Sequence, residues 1–304
     1  MADQGMSEHL RQLFASACEA LRPLVPRRLR AGIPVVPVVR LSGVIGLSTP
    51  LKPGLTLASL ARQLERAFTT RNARAVALVI NSPGGSPVQS HLIYRRIRAL
   101  AVEHKLPVLA FAEDVAASGG YMIACAADEI ICDQSSVLGS IGVVGASFGF
   151  PRLLEKLGVE RRIYTSGEHK AMLDPFLPEK PEEVEHLKSL QRDIHDDFIA
   201  LVKESRGARL RGPEKDLFSG EYWTGRKSVE LGLADRIGEV RAFLRERFGD
   251  EVETPLVAAE RSLFGRLRPG LGGEGIDHLF RRTDLAEDII SALETRALWA
   301  RYGL

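Results

Sequence analysis

Apolar and polar positions divide the first half of the chain into short, alternating segments. Four apolar runs have the length of strands: residues 35–39, 75–80, 107–112 and 129–132. Two intervening segments, 56–68 and 88–103, instead repeat their apolar residues at helical spacing. Continuous apolar runs are typical of parallel strands that are buried on both faces. Pro34 and Pro37 indicate that the first run lies at a sheet edge or enters the sheet late. The pattern predicts an α/β fold, with a mostly parallel sheet flanked by helices.

In the second half of the chain, more of the apolar residues recur at helical spacing. It predicts helices over residues 118–127, 151–157, 181–204 and 284–302, a strand over 161–165 and a glycine-rich linker over 265–275. These changes in character divide the chain into three parts: an N-terminal extension over 1–32, a main domain over 33–247, and a linker with a C-terminal helical extension over 248–304.

The N-terminal extension combines helically spaced apolar residues with five arginines. It predicts an amphipathic helix that either packs on protein, its own domain or another subunit, or lies on an anionic membrane surface. No window contains the roughly 18–20 apolar residues that span a bilayer, and no secretory signal is recognisable. We therefore expect a cytoplasmic protein, with peripheral contact at the inner face of the membrane left open.

Composition excludes several classes of function. The formal net charge of +2 and the lack of a long basic run give no support for nucleic-acid binding. Seven histidines are scattered and three cysteines lack the spacing of a zinc knuckle, so no metal is expected. No GxxxxGK[ST] loop occurs, and no organic cofactor is expected.

A glycine-rich turn, NSPGGS at residues 81–86, follows the second predicted strand. Ligands of α/β sheets bind beyond the carboxyl ends of the strands. Adjacent glycines there leave backbone N–H groups open to the oxyanion of a tetrahedral intermediate. The alternative is an ordinary Pro-Gly turn.

Ser118 lies between small residues in the stretch AASGGY, at the start of a predicted helix. The small neighbours leave room for a substrate, and a helix N-terminus favours developing negative charge. The amide of Gly119 is a candidate second oxyanion donor. The alternative role for Ser118 is a helix N-cap.

A serine nucleophile needs a base, and the stretch SGEHK at residues 166–170 offers two candidates. His169 lacks an evident carboxylate to orient it. A lysine such as Lys170 serves as a base if desolvation lowers its pKa toward neutrality. The alternative is a solvated loop lysine.

Five stretches, in this order, resemble the signal peptide peptidase A family of serine peptidases. They are NSPGGS at 81, AASGGYMIACAADEI at 116, LGSIGVV at 138, YTSGEHKAMLDPF at 164 and YWTGRKSVELGLADRIG at 222. The resemblance covers residues 35–240 and implies a ClpP/crotonase-like fold. It assigns Ser118 as nucleophile, Lys170 as general base, Ser140 as a serine that aims the base, and Gly85 and Gly119 as oxyanion-hole residues.

The resemblance implies a Ser-Lys endopeptidase domain over 33–247 that acts on signal-peptide-like or unstructured polypeptides and assembles as a homo-oligomer. Members usually carry an N-terminal membrane anchor, which the sequence does not show, so the substrate class stays open. Two alternatives remain: a crotonase-like acyl-CoA enzyme, which needs no Ser-Lys pair, and a non-catalytic scaffold of the same fold.

Overall fold

A computed structural model describes residues 33–46, 54–258, 292–293 and 295–304. The predicted N-terminal extension and the glycine-rich linker lie outside the described residues. The three-part division of the chain therefore stays a prediction.

Seven strands form one sheet: β1 (Val38–Ser42), β2 (Val76–Ser82), β3 (Val108–Ala117), β4 (Glu129–Cys132), β5 (Val137–Gly139), β6 (Tyr222–Thr224) and β7 (Arg236–Ile237). Between residues 57 and 248 there are eight α-helices: α1 (Leu57–Phe68), α2 (Pro87–His104), α3 (Gly119–Ala124), α4 (Pro151–Leu157), α5 (Pro181–Arg206), α6 (Glu214–Leu217), α7 (Gly225–Glu230) and α8 (Val240–Phe248).

The long central strand β3 changes neighbours along its length. Strands β1, β2, β3, β4 and β7 lie side by side and run parallel. The first half of β3 pairs with β4, whereas its last residues, 115–117, pair with β5, which in turn pairs antiparallel with β6. The carboxyl end of β3 therefore lies between the ends of β2 and β5 and no longer pairs with β4.

Two apolar layers cover the sheet. Residues of α1, α2, α3 and α5 pack on one face in the larger core, while Phe243 and Leu244 of α8 cover the other face. Helix α1 begins with a capping box, in which Thr56 and Ser59 each bond the other's backbone N–H. Because β2 and β3 are buried on both sides, their apolar runs show no alternation.

The predicted α/β fold with a mostly parallel sheet is confirmed. Predicted helices 56–68, 88–103, 151–157 and 181–204 correspond to α1, α2, α4 and α5. β1 lies at one end of the strand order and overlaps the predicted run 35–39 at residues 38–39. The predicted strand over 161–165 is wrong, because those residues pair with no strand and all but Ile163 are exposed. Within the described residues, the predicted helix over 284–302 is helical at 292–293 and 295–300 and ends in a turn at 301–303.

A buried ion pair connects the end of α5 to the residue before β7. Arg206 is 1% exposed, and its guanidinium donates two hydrogen bonds, of 2.8 and 2.9 Å, to the Asp235 carboxylate. The Asp235 carboxylate also accepts from the backbone N–H of Ile130 in β4. Burial raises the pKa of Asp235, but the bonds from Arg206 and Ile130 outweigh it and leave that pKa below its ordinary value.

Candidate active site

Ser118 follows directly after β3, at the point where the strand turns into α3. Its backbone angles, φ 51° and ψ −123°, are unusual for a residue with a side chain. The Ser118 N–H donates to Gly139 O at 2.8 Å, which ties the turn to the end of β5. Ser118 occupies the N-cap position of α3, yet its hydroxyl caps no backbone N–H. Ser118 is half-buried.

The glycine turn after β2 packs directly against the Ser118 turn. A methyl group on Gly84 would lie 2.8 Å from Ser118 Cβ and 2.9 Å from Gly119 N. One on Gly85 would lie 2.1 Å from Ile45 O, and one on Gly119 would lie 2.2 Å from Ser90 Oγ. Gly84 thus packs against the Ser118 turn, whereas Gly85 is confined by Ile45 and Gly119 by Ser90.

The structure brings Gly85 and Gly119, the two predicted oxyanion residues, to this junction. Within the described residues, neither amide donates a hydrogen bond, whereas the neighbouring Gly84 N–H bonds Ser82 Oγ at 3.2 Å. Unpaired N–H groups beside a serine hydroxyl are what stabilisation of a tetrahedral oxyanion requires. The arrangement is therefore chemically suited to acyl transfer.

Ser140 lies in the loop after β5, next to Gly139, whose carbonyl accepts from Ser118 N–H. The junction of the Ser118 turn, the glycine turn and this loop is called the candidate cleft below. It too has a positive φ, 53°, and its N–H donates to Glu221 O at 2.6 Å. Sequence reasoning missed a residue that holds this loop: His195 of α5, whose Nε2 lies 3.0 Å from Ile141 O. Since a carbonyl only accepts, Nε2 carries the proton in that contact. The helical spacing of α5 gave no sign that His195 reaches this loop.

The structure does not bring Lys170 to Ser118. Lys170 is exposed, and within the described residues its ammonium group makes no hydrogen bond or ion pair. His169, the rival base, is exposed as well and makes no hydrogen bond to Ser118. Both lie on a surface segment, residues 142–180, in which no side chain is buried.

Contacts within residues 142–180, called the surface segment below, hold it together. Phe150 and Phe176 stack with ring centroids 5.5 Å apart, and Arg161 forms an ion pair with Asp174 at 3.0 Å. A hydrogen bond from Phe176 N–H, together with Arg161, lowers the pKa of Asp174. Lys170 is therefore carried by a segment that has its own internal contacts and few contacts with the sheet.

An aromatic residue from the far end of the described chain reaches the cleft. The Tyr302 hydroxyl lies 3.3 Å from Ser140 Oγ and 3.4 Å from Pro83 O, in the glycine turn. Its ring packs edge-on against Tyr222, with centroids 5.0 Å apart. Burial raises the pKa of Tyr302, against a smaller lowering by the Ser140 bond. The sequence predicted only a helix here and gave no signal for this contact.

Among the described residues, no group of three His, Cys, Asp or Glu side chains comes together in a way that could hold a metal ion. No helix in the same part of the chain is long and apolar enough to cross a membrane.

Comparison with known proteins identifies the family. The model of peptidase family S49 matches residues 101–248, and that of the ClpP-like SDH-type serine proteinases matches residues 9–158. The putative protease slr0021 of Synechocystis is 33% identical over 202 residues, which are 64% of this chain and 72% of that protein. The chain belongs to peptidase family S49. The predicted resemblance to the signal peptide peptidase A family is thereby confirmed.

Other relatives of this S49 chain differ in length and in name. A Brucella abortus protein named Na(+)/H(+) antiporter NhaA is 55% identical over 287 residues, which are 93% of this chain but 39% of that protein. The chloroplastic serine protease SPPA of Arabidopsis thaliana is 33% identical over 69% of this chain and 31% of its own length. The S49 chain thus spans well under half the length of both relatives.

Proposed function

We propose that this chain is a serine endopeptidase that cleaves unstructured or signal-peptide-like polypeptides, with Ser118 as nucleophile and Lys170 as general base. The observation that carries the proposal is the junction of the two glycine turns. Within the described residues, the Ser118 hydroxyl caps no helix and the Gly85 and Gly119 amides donate no hydrogen bond, which supports the proposal.

In the proposed reaction, Ser118 Oγ attacks the carbonyl carbon of a peptide bond while Lys170 Nζ accepts its proton. The N–H groups of Gly85 and Gly119 stabilise the oxyanion. The C–N bond then breaks, and Lys170 returns the proton to the leaving amine. A water molecule, deprotonated by Lys170, hydrolyses the acyl-enzyme and restores Ser118.

The exposed position of Lys170 sets a requirement on this mechanism. A lysine amine in water is protonated at neutral pH, and it becomes a base only where its hydration is removed. The surface segment must therefore be covered when Lys170 acts. A neighbouring copy of the chain would provide such cover, which agrees with the expected homo-oligomer.

The names of the relatives help to rank peptidase activity against the alternative functions. The antiporter name describes a Brucella protein of which the aligned part makes up 39%, whereas the two peptidase models match residues within 9–248 of this chain. Peptidase chemistry is therefore the better supported proposal, ahead of an acyl-CoA enzyme or a non-catalytic scaffold. Contact of residues 1–32 with a membrane stays a prediction, because those residues lie outside the described part.

The test uses the Ser118→Ala and Lys170→Ala variants with an unstructured polypeptide as substrate. We expect each variant to lose at least about a thousandfold in kcat, because the nucleophile and its base act as one unit. Lys188→Ala, which removes another exposed lysine, is the matched control and should retain activity. A serine-directed acylating probe should label Ser118 in the wild-type chain. Full activity in either variant, or labelling of another serine, would contradict the assignment.

A further inference from the structure

Strand β3 contains two extra residues shortly before the candidate nucleophile. Along its ladder with β2, Ile80 pairs with Ala112. The next pair joins Ser82 to Ala116, so β3 has two more residues than β2 over this step. Such a bulge bends one strand relative to its neighbour, and bulges are over-represented next to active sites, where they change the direction of a side chain. Regular pairing resumes at Ala116 and leads directly to Ser118.

The side chain of Asn81, which lies between those two pairs on β2, bonds the bulge where the backbone ladder is interrupted. Its Oδ1 accepts from the Val115 N–H at 3.3 Å, and its Nδ2 donates to the Asp114 carboxylate at 2.7 Å. A backbone N–H only donates and an ionised carboxylate only accepts, so the bulge requires one acceptor and one donor from the same side chain. Asparagine is the shortest side chain that provides both on separate atoms.

The bulge determines where Ser118 meets the glycine turn. One strand residue spans about 3.3 Å, so two extra residues correspond to about 6–7 Å of strand. A misplacement of about 1 Å at a reacting group is enough to lower a rate by about a hundredfold. The fit is already close, since a methyl group on Gly84 would lie 2.8 Å from Ser118 Cβ. Even a partial rearrangement of the bulge would therefore lower activity.

We propose that Asn81 is a positioning residue, whose side-chain amide fixes the bulge of β3 and thereby sets Ser118 against the glycine turn. Asn81 acts through Val115 and Asp114 and makes no contact with the substrate. The proposal gives a role to the first residue of the NSPGGS stretch, of which the proposed mechanism uses only Gly85. It rests on the proposed function, since it takes Ser118 to be the nucleophile.

A donor–acceptor swap in the full-length chain tests this role. Asn81→Asp removes the donor and places two carboxylates together, so we expect kcat on an unstructured polypeptide to fall by about 30- to 100-fold, with KM changed less than about twofold. Combining Asn81→Asp with Asp114→Asn restores one donor and one acceptor at the same net charge, and kcat should return to within about threefold of wild type. The control is Glu113→Gln, the same kind of change at the adjacent bulge residue, whose carboxylate bonds Arg40 instead. It should keep kcat within about twofold, because that pair is partly exposed.

A second readout follows the bulge itself, without catalysis. Asn81→Ala removes both hydrogen bonds without adding charge, and we expect the Val115 N–H to exchange with solvent at least about tenfold faster in this variant. Its kcat should fall as in Asn81→Asp, so it replaces that variant if the latter does not fold. The swap variant should exchange Val115 at the wild-type rate.

Unchanged kcat or unchanged Val115 exchange in Asn81→Ala would overturn the inference. A swap variant that recovers neither kcat nor the protection of the Val115 N–H would overturn it as well. If the wild-type chain hydrolyses no polypeptide, the proposed function fails, whereas the exchange of Val115 still decides whether Asn81 holds the bulge.

Discussion

Ser118 and Ser140 both hold backbone conformations that residues with side chains rarely adopt. Each such conformation costs about 1–3 kcal/mol and persists only where surrounding contacts enforce it. Here the enforcing contacts are backbone hydrogen bonds, from Ser118 N–H to Gly139 O and from Ser140 N–H to Glu221 O. The position of the candidate nucleophile therefore depends on the backbones of β3 and β5.

The Gly85→Ala variant tests the glycine junction. Its methyl group would meet Ile45 O at 2.1 Å, so the turn must shift and carry the Gly85 amide away from Ser118. We expect kcat to fall by about 10²–10³-fold, as for the loss of one oxyanion donor, measured on an unstructured polypeptide. Gly249→Ala is the control: Gly249 also has a positive φ, 93°, but its methyl group meets nothing within 4 Å. Equal activity in the two variants would contradict a special role for Gly85.

The sequence predicted the glycine junction but not the whole cleft. Gly85, Ser118 and Gly119 each follow a buried strand, and parallel strands bring their carboxyl ends to one edge, so their proximity followed from the topology. Lys170 follows no strand, so nothing local determines where it lies. Tyr302 reaches Ser140 across 162 positions, through a contact that no spacing rule describes.

At the level of elements, apolar runs predicted the long strands and missed the short ones. β5, β6 and β7 have only three, three and two residues, too few for a periodic pattern. Each of them is a strand because an adjacent strand is present to pair with it; β7, for example, pairs with β4. The failed prediction at 161–165 shows the converse, since those residues have no neighbouring strand to pair with.

The α5–β7 connection should depend on the Arg206–Asp235 pair. Arg206→Ala leaves a half-buried carboxylate without its main partner, and we expect the free energy of unfolding to fall by about 3–5 kcal/mol. Lys227→Ala, which breaks an exposed pair with Glu230, should cost less than about 1 kcal/mol. Urea denaturation at pH 7 measures both.

The wild-type protein tests the sign of the pH dependence. Because the Asp235 pKa is lowered in the folded state, the contribution of Asp235 to the free energy of unfolding is complete above about pH 4 and disappears as the pH falls through the lowered value. Asp235→Asn should flatten that acid loss, and an unchanged slope would contradict the pair's role.

At the scale of the whole molecule, the surface segment leaves an unusual number of large apolar side chains in contact with water. They are Val144, Phe148, Leu153, Leu157, Val159, Tyr164, Phe176 and Leu177. Soluble domains rarely expose such a group without a partner. A neighbouring copy would cover these side chains and, with them, remove water from Lys170.

Mixing two inactive variants tests whether the base comes from a neighbour. In assemblies formed from equal amounts of Ser118→Ala and Lys170→Ala chains, some clefts combine an intact Ser118 with an intact Lys170 of the next copy. We expect about a quarter of the wild-type specific activity after co-refolding or co-expression, given random assembly. Activity no higher than that of the separate variants would show that Lys170 serves the Ser118 of its own chain. Sedimentation of the wild-type chain gives the size of the assembly.

The contrast between β3 and the surface segment also has a consequence for how the protein opens. Amides in the buried middle of β3, flanked by β2 and β4, exchange with solvent only when the whole domain unfolds, whereas amides of an exposed segment exchange through small local openings. The candidate nucleophile and its proposed base thus belong to cooperative units of different stability. On warming, the surface segment that carries the proposed base would open at a much lower temperature than the strand that precedes the nucleophile. Loss of activity and melting of the domain would therefore occur at separate temperatures.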